Sequence, residues 1–405
     1  MKFSKSALFI ALASVSMASA AQTNQNSLGK NINISSIING NYQSAEKALS
    51  EREKGFSIGG SELAISGFID DSLYGKFTTV LHEHDGDMEV EVEEAFIQTM
   101  SLPAGFSLRG GRFLSNIGYL NNQHTHTDAF ADRPAVYRAL LGDHYFDDGL
   151  RLDYLAPTDV YWAMGVEAFK GNKFRAENDE VKPKSTGVYT AYTKIGDDIG
   201  ESSSWQLGFS YINNQNGLTA LEHHEEEHDH DHEDEKEHAH EAEGEHGHED
   251  AHGHSHAAKF TGKHIYGVDA VYKWAPKGNY KYQHLTLTGE YFKATDLFSA
   301  EEHQDEVDDL SHNGWYVSSV YQFSPNWSAG LRYGEVTVQE AHEDHADEMK
   351  LKESEFQVSY HTSHFSTIRL QYSHQDGTGE LKPVDENSVT LQFIVALGAH
   401  GAHQF

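Results

Sequence analysis

Trp205-Gln206-Leu207-Gly208-Phe209-Ser210-Tyr211 alternates without a break, large apolar or aromatic groups at odd positions and small or polar ones at even positions. Period two belongs to a β-strand, whose successive side chains point to opposite faces. The same pattern extends outward along the chain. Tyr266, Val268, Ala270, Tyr272 and Trp274 alternate with Gly267, Asp269 and Lys273. Leu285, Leu287 and Tyr291 alternate with Thr286, Thr288 and Glu290, and Trp327, Ala329, Leu331 and Tyr333 with Ser328, Gly330 and Arg332. Phe356, Val358 and Tyr360 follow, and Val389, Leu391, Phe393, Val395 and Leu397 close the series. Runs of about nine to eleven residues are long enough to cross a bilayer when tilted. Aromatics gather at the ends of the apolar faces, where a membrane interface would lie. The opposite faces carry Lys, Arg, Glu, Asp and Gln, costly in a dry core but ordinary in a wet lumen. A soluble two-sheet protein is the alternative that alternation alone leaves open.

Sixteen such runs are predicted, the first at 31–43 and the last at 387–405. An even number suits a bacterial single-chain barrel, so the fold class is an all-β, antiparallel transmembrane β-barrel. The connections alternate in length. Short ones fall at 70–71, 103–104, 156–157, 197–202, 275–280, 324–325 and 363–364. The others, mostly long, fall at 44–54, 83–88, 114–144, 170–184, 214–261, 294–311, 337–352 and 375–386. Short turns face the periplasm in such barrels and long loops face outside.

The chain starts with Lys2 and Lys5, an apolar run over 7–15, and Ala18-Ser19-Ala20. That is the pattern of a secretory signal peptide spanning 1–20, which leaves 21–405 as one barrel domain. Cys is absent, so no disulfide framework is expected. A formal charge of −33 argues against nucleic acid as a partner and suits cations. No G-x-S-x-G, H-E-x-x-H or P-loop signature is present, and no enzyme activity is expected.

Segment 222–258 holds 12 of the 28 His and 15 Asp or Glu against one Lys. So charged a segment cannot bury enough surface to offset the entropy of ordering, and a mobile extracellular loop is expected. Its imidazoles, His223, His224, His228, His230, His232, His238, His240, His246, His248, His252, His254 and His256, sit among carboxylates. That mixture is a sink for borderline divalent metals, zinc first. No fixed ligand spacing repeats, so several low-selectivity sites are expected. A solvated, charge-repelling lid is the bland alternative. Smaller groups recur at His82-Glu83-His84-Asp85, Glu301-Glu302-His303-Gln304-Asp305 and His342-Glu343-Asp344-His345, all placed on the outer rim.

The connection 114–144 is expected to fold into the lumen as a constriction. Within it His124-x-His126-x-Asp128 would point alternating ligands one way if the segment is extended. These three residues are the candidate transit site for a divalent cation, held weakly enough to be released inward. The alternative is that His124 and His126 merely anchor the loop to the wall. Lys76, Arg109, Arg151, Lys273, Arg332 and Arg369 are read as lumen charges paired with Asp153, Asp269 and Glu290, an anion track being the other option.

Gly111-Arg-Phe-Leu-Ser-Asn-Ile-Gly-Tyr-Leu-Asn-Asn-Gln-His-Thr-His126 is the most specific of several motifs. With Asp132-Arg-Pro134, Asp147-Asp-Gly149, Leu155-Ala-Pro-Thr-Asp159 and the close Leu397 to Phe405, it resembles a family of proteobacterial outer-membrane proteins. Those proteins are labelled zinc-regulated outer-membrane receptors and are distantly similar to phosphate-selective porins. The resemblance implies a porin-like barrel, made under zinc limitation, that helps zinc across the outer membrane. The label sometimes adds energy coupling, but the chain shows no separate plug of a hundred-odd residues, so passive movement is expected. The alternatives are an anion-selective or general porin, or a surface metal buffer without transport. The partners expected are outer-membrane lipid and lipopolysaccharide, divalent cations, the barrel-assembly machinery, and further copies in a homotrimer.

Overall fold

The structure, a computed structural model, describes residues 32–50, 52–84, 87–175, 184–220, 258–299, 310–342 and 345–398. The signal-peptide expectation over 1–20, the twelve His of 222–258, His303 and Phe405 lie outside the described residues.

Sixteen antiparallel strands close into one barrel. They are β1 Ile32–Gln43, β2 Gly55–Ser57 continued as Ser61–Phe68, β3 Leu73–His84, β4 Asp87–Thr99, β5 Phe106–Leu114, β6 Phe146–Leu155, β7 Tyr161–Phe169 and β8 Val188–Ile199. The second half runs β9 Ser203–Asn214, β10 His264–Trp274, β11 His284–Thr295, β12 Ser311–Ser324, β13 Trp327–His342, β14 His345–Ser363, β15 Ser366–Gly377 and β16 Asn387–Gly398. Each strand pairs with its neighbours in sequence, and β1 pairs with β16 from Ser35↔Gly398 to Gln43↔Thr390, so no edge is left open.

Sorting of side chains fixes the wall's orientation. Leu331 is 61% exposed while its neighbour Arg332 is 6% exposed. The same inversion holds along the sheet: Phe209, Val317, Leu370 and Leu391 face out, while Gln206, Glu290, Gln371 and Gln392 are buried inside. A water-facing barrel would show the reverse. Trp315 packs on Tyr333 and Tyr211 on Tyr266 towards the long-loop end, and Trp327 packs on Tyr360 near the short-turn end. These are the two aromatic girdles of a membrane-spanning band.

Two expected loops are hairpins instead. β3 and β4 stay paired up to His84↔Asp87, and β13 and β14 up to His342↔His345. Residues 83–88 and 337–352 are therefore mostly strand. Past the membrane band a strand needs no apolar face, so alternation fades in the sequence while the hydrogen-bond ladder continues.

Connection 115–145 folds into the barrel. It carries a single 3₁₀ turn, Thr125–Thr127, and helix α1, Ala135–Leu140, every residue of which is buried. Val136, Tyr137, Leu140 and Leu141 join Phe260, Phe292, Val336 and Leu351 in one apolar cluster within the barrel.

Candidate functional site

Polar groups of the wall grip the inward loop around nearly the whole circumference. On β7, Glu167 accepts from the Ser115 hydroxyl and, at 3.1 Å, from Asn116 N–H. On β9, Ser210 Oγ accepts from Gly118 N–H at 2.9 Å. On β11, Glu290 accepts from Tyr119 N–H at 2.7 Å, Leu120 N–H at 3.2 Å and the Tyr137 hydroxyl at 2.8 Å. Gly118 has φ +58°, and a Cβ there would lie 2.4 Å from Glu290 Oε2, so both backbone and space require glycine. On β13 to β15, Arg332 and Arg369 donate to the carbonyls of Asp132 and Asp128, each at 2.6 Å, and Arg138 of α1 pairs with Glu353 at 2.6 Å.

On the remaining arc the loop meets a cluster of carboxylates and imidazoles. His124 Nδ1 lies 2.8 Å from Glu93 Oε2 and 3.3 Å from Glu62 Oε2. His124 Nε2 lies 2.9 Å from Glu94 Oε2 and 2.8 Å from Lys76 Nζ, and Lys76 lies 2.5 Å from Glu94. His126 Nδ1 contacts Glu62 Oε1 at 2.6 Å, and His144 Nε2 contacts Glu93 Oε1 at 2.7 Å. Glu62, Glu93 and Glu94 are all buried. Burial opposes charge on His124, but Glu93, Glu62 and Glu94 outweigh it and hold its proton well above the ordinary imidazole range. A cavity of about 130 Å³ adjoins the cluster, lined by His82, Glu93, Asp128, Asp132 and His144 and by residues of segment 50–60.

Two adjacent glutamates reach the lumen because of a β-bulge. Thr78 pairs with Glu94, yet Thr79 pairs with Val92, so Glu93 is the extra residue. A bulge shifts the alternation by one, and Glu93 and Glu94 then face the same side.

No protein-family model matches the chain. A protein of Aquifex aeolicus (strain VF5), described as uncharacterised, is 26% identical over 399 residues, which cover 93% of this chain and 75% of that one. Among solved structures, the outer membrane channel DcaP of Acinetobacter baumannii superposes with a TM-score of 0.55 at 12% identity, over 92% of this chain and 99% of that one. The anion-selective porin from Comamonas acidovorans gives 0.52 at 10% identity, over 92% and 100%. A trimer form of OmpT, an outer membrane protein of Vibrio cholerae, gives 0.51 at 9% identity, over 91% and 100%. The chain is a porin-like barrel of the bacterial outer membrane.

In this porin-like barrel the three residues expected to act together are divided. His124 and His126 meet the wall carboxylates, their rings stacked with centroids 5.8 Å apart. Asp128 does not join them. The segment is a 3₁₀ turn rather than extended, so the alternation that would align the three is lost. Asp128 instead accepts from Arg133 Nε at 2.6 Å, and burial pushes its carboxyl up despite that partner.

The lumen cations are also paired differently from the expectation. Arg151 takes Glu167, Arg332 takes Glu355, Arg109 donates to Gln98 at 2.9 Å, and Lys76 takes Glu94. Sequence reasoning missed Glu62, Glu93 and Glu94. A signal for the last two existed: Glu89, Glu91 and Glu93 alternate strictly, and Glu94 breaks the phase, which is the mark of a bulge.

Proposed function

We propose that this porin-like channel assists the uptake of zinc across the outer membrane. Histidines and carboxylates of the outer loops, segment 222–258 foremost, raise the local concentration of the cation at the mouth. It then moves passively past the inward loop, where His124 and His126 stand among Glu62, Glu93 and Glu94. The observation that carries this reading is the charge of that cluster. Three carboxylates face one ammonium there, so a divalent cation that displaces the His124 proton meets a net charge of −2 that it neutralises. Arg151 and Arg332 of the wall and Arg138 of α1 each hold a buried glutamate, whereas Arg109 and Arg369 are held by Gln98 and Gln392 and are the groups an anion would meet.

Conductance in planar bilayers, with and without micromolar Zn²⁺ on the loop side, tests the reading. Zinc-dependent block that disappears in H124A/H126A is the expected result. Conductance indifferent to zinc would make the barrel a general or anion-selective channel. In cells, removing 222–258 is expected to slow growth across a series of zinc chelator concentrations while the barrel still folds. A homotrimer is the assembly carried with this reading, checked by cross-linking in outer-membrane fragments.

A further inference from the structure

The geometry points to a three-ligand divalent-metal site formed by Glu62 Oε2, Glu93 Oε2 and His124 Nδ1, with waters completing the shell. These three donor atoms lie within 4.8 Å of one another and come from β2, β4 and the inward loop. The assignment rests on the zinc reading for the choice of metal and goes beyond it in naming the ligands and what holds them.

Three features separate this cluster from an ordinary ion pair. First, a single imidazole nitrogen, His124 Nδ1, faces two buried carboxylates from two strands, 2.8 Å from Glu93 Oε2 and 3.3 Å from Glu62 Oε2. The proton held between them is the one a divalent cation displaces. Donor atoms that share a tetrahedral zinc at about 2.0–2.2 Å lie roughly 3.3–3.6 Å apart. The separations of 2.8 and 3.3 Å on His124 Nδ1 therefore need to open only slightly.

Second, the far side of each ligand is already held. On the far side of the ring His124 Nε2 lies 2.9 Å from Glu94 Oε2, and an Nε2–H donating there leaves Nδ1 as the nitrogen that coordinates once its proton is displaced. The other oxygen of Glu62 meets His126 and the other oxygen of Glu93 meets His144. Such outer contacts orient metal ligands and tune their basicity. Third, Glu93 and His144 also line the cavity of about 130 Å³, so the site has an approach from the loop side.

Three protein ligands leave coordination positions to water. An open shell of this kind exchanges its ion more readily than a closed four-ligand one, as a position on a conduction path requires. Two carboxylates and one imidazole suit a borderline cation such as zinc.

The test is X-ray diffraction at the zinc absorption edge from crystals of the full chain soaked in Zn²⁺. An anomalous peak bonded to Glu62, Glu93 and His124 is expected, and its loss in E93Q. An H144Q variant should keep the peak position while weakening binding about 10–100-fold. Zinc held elsewhere, with no peak between these three residues in the wild-type chain, overturns the assignment without reference to any variant. Heat-modifiable migration on gels shows whether E93Q still forms the barrel. Flux into liposomes distinguishes the two readings. A peak at the site with no zinc flux removes the uptake function and leaves the site, while zinc flux without a peak does the opposite.

Discussion

Asp132 shows how much one buried carboxylate can carry. It pairs with Lys47, lies 3.4 Å from Arg52, and its carbonyl accepts from Arg332. Burial would raise its carboxyl, but Arg52, Lys47 and Arg138 outweigh burial and hold it below the usual carboxylate range. A carboxylate depressed in the folded state contributes stability above its unfolded value, about 3.9, and that stability is lost as pH falls through the folded value. The loop is therefore expected to stay seated from neutral pH down to about pH 4 and to loosen only below it. Pepsin cleavage within the inward loop, followed from about pH 4 downward, checks this. The D132N change leaves Lys47 buried with its main partner gone, a cost of about 3–5 kcal/mol. Trypsin cleavage after Arg138 should then appear at neutral pH; resistance equal to wild type would show that the pair does not hold the loop.

Little of this was legible residue by residue. His124 and His126 were found because two imidazoles in a loop stand out by type. Their carboxylate partners were not, because Glu62 precedes His124 by 62 positions and only barrel closure brings the two together.

At the scale of elements, the inward loop is held as much by shape as by charge. Val136 of α1 packs over Gly314 of β12, where a Cβ would lie 2.8 Å from Val136 Cγ2 and 3.0 Å from the Glu335 carbonyl. A branched side chain cannot be placed there without moving the helix or the strand. Gly314→Val is expected to unseat α1 and raise single-channel conductance several-fold, with the barrel itself intact by gel migration. Unchanged conductance would mean that the helix is not what narrows the lumen. The loop's position was readable from its length between two well-patterned strands. Its helix was not, since six residues enclosed on all sides show no amphipathic period. The outer ends of β3, β4, β13 and β14 were read as loops for a related reason: pattern reports the membrane, and hydrogen bonding continues beyond it.

For the whole molecule, the wall is an inverted protein, apolar outward and polar inward. Fold class was fully visible in sequence because membrane and lumen impose opposite demands on alternate residues. The energetic consequence can be measured. Leu331 lies between the two aromatic girdles, and Leu331→Arg is expected to cost up to about 2–4 kcal/mol of folding into lipid vesicles, depending on its depth. Urea titration of the vesicle-bound barrel reads that cost. A change below about 0.5 kcal/mol would place Leu331 against protein or water instead of lipid.

The bulge at Glu93 ties the chemistry of the lumen to the reading frame of a strand. Upstream of it, Glu91 shares the inner face with Val80; downstream, Glu94 shares it with Thr78. Removal of Glu93 would let the ladder run unbroken, with Glu91, Val92 and Glu94 opposite Val80, Thr79 and Thr78 and each still on its own face. What would disappear is the second lumen carboxylate, because a regular ladder sets one residue, not two, against Thr78. The extra residue therefore serves the chemistry of the lumen and not the closure of the barrel. One inserted residue is thus what sets two glutamates side by side against the inward loop.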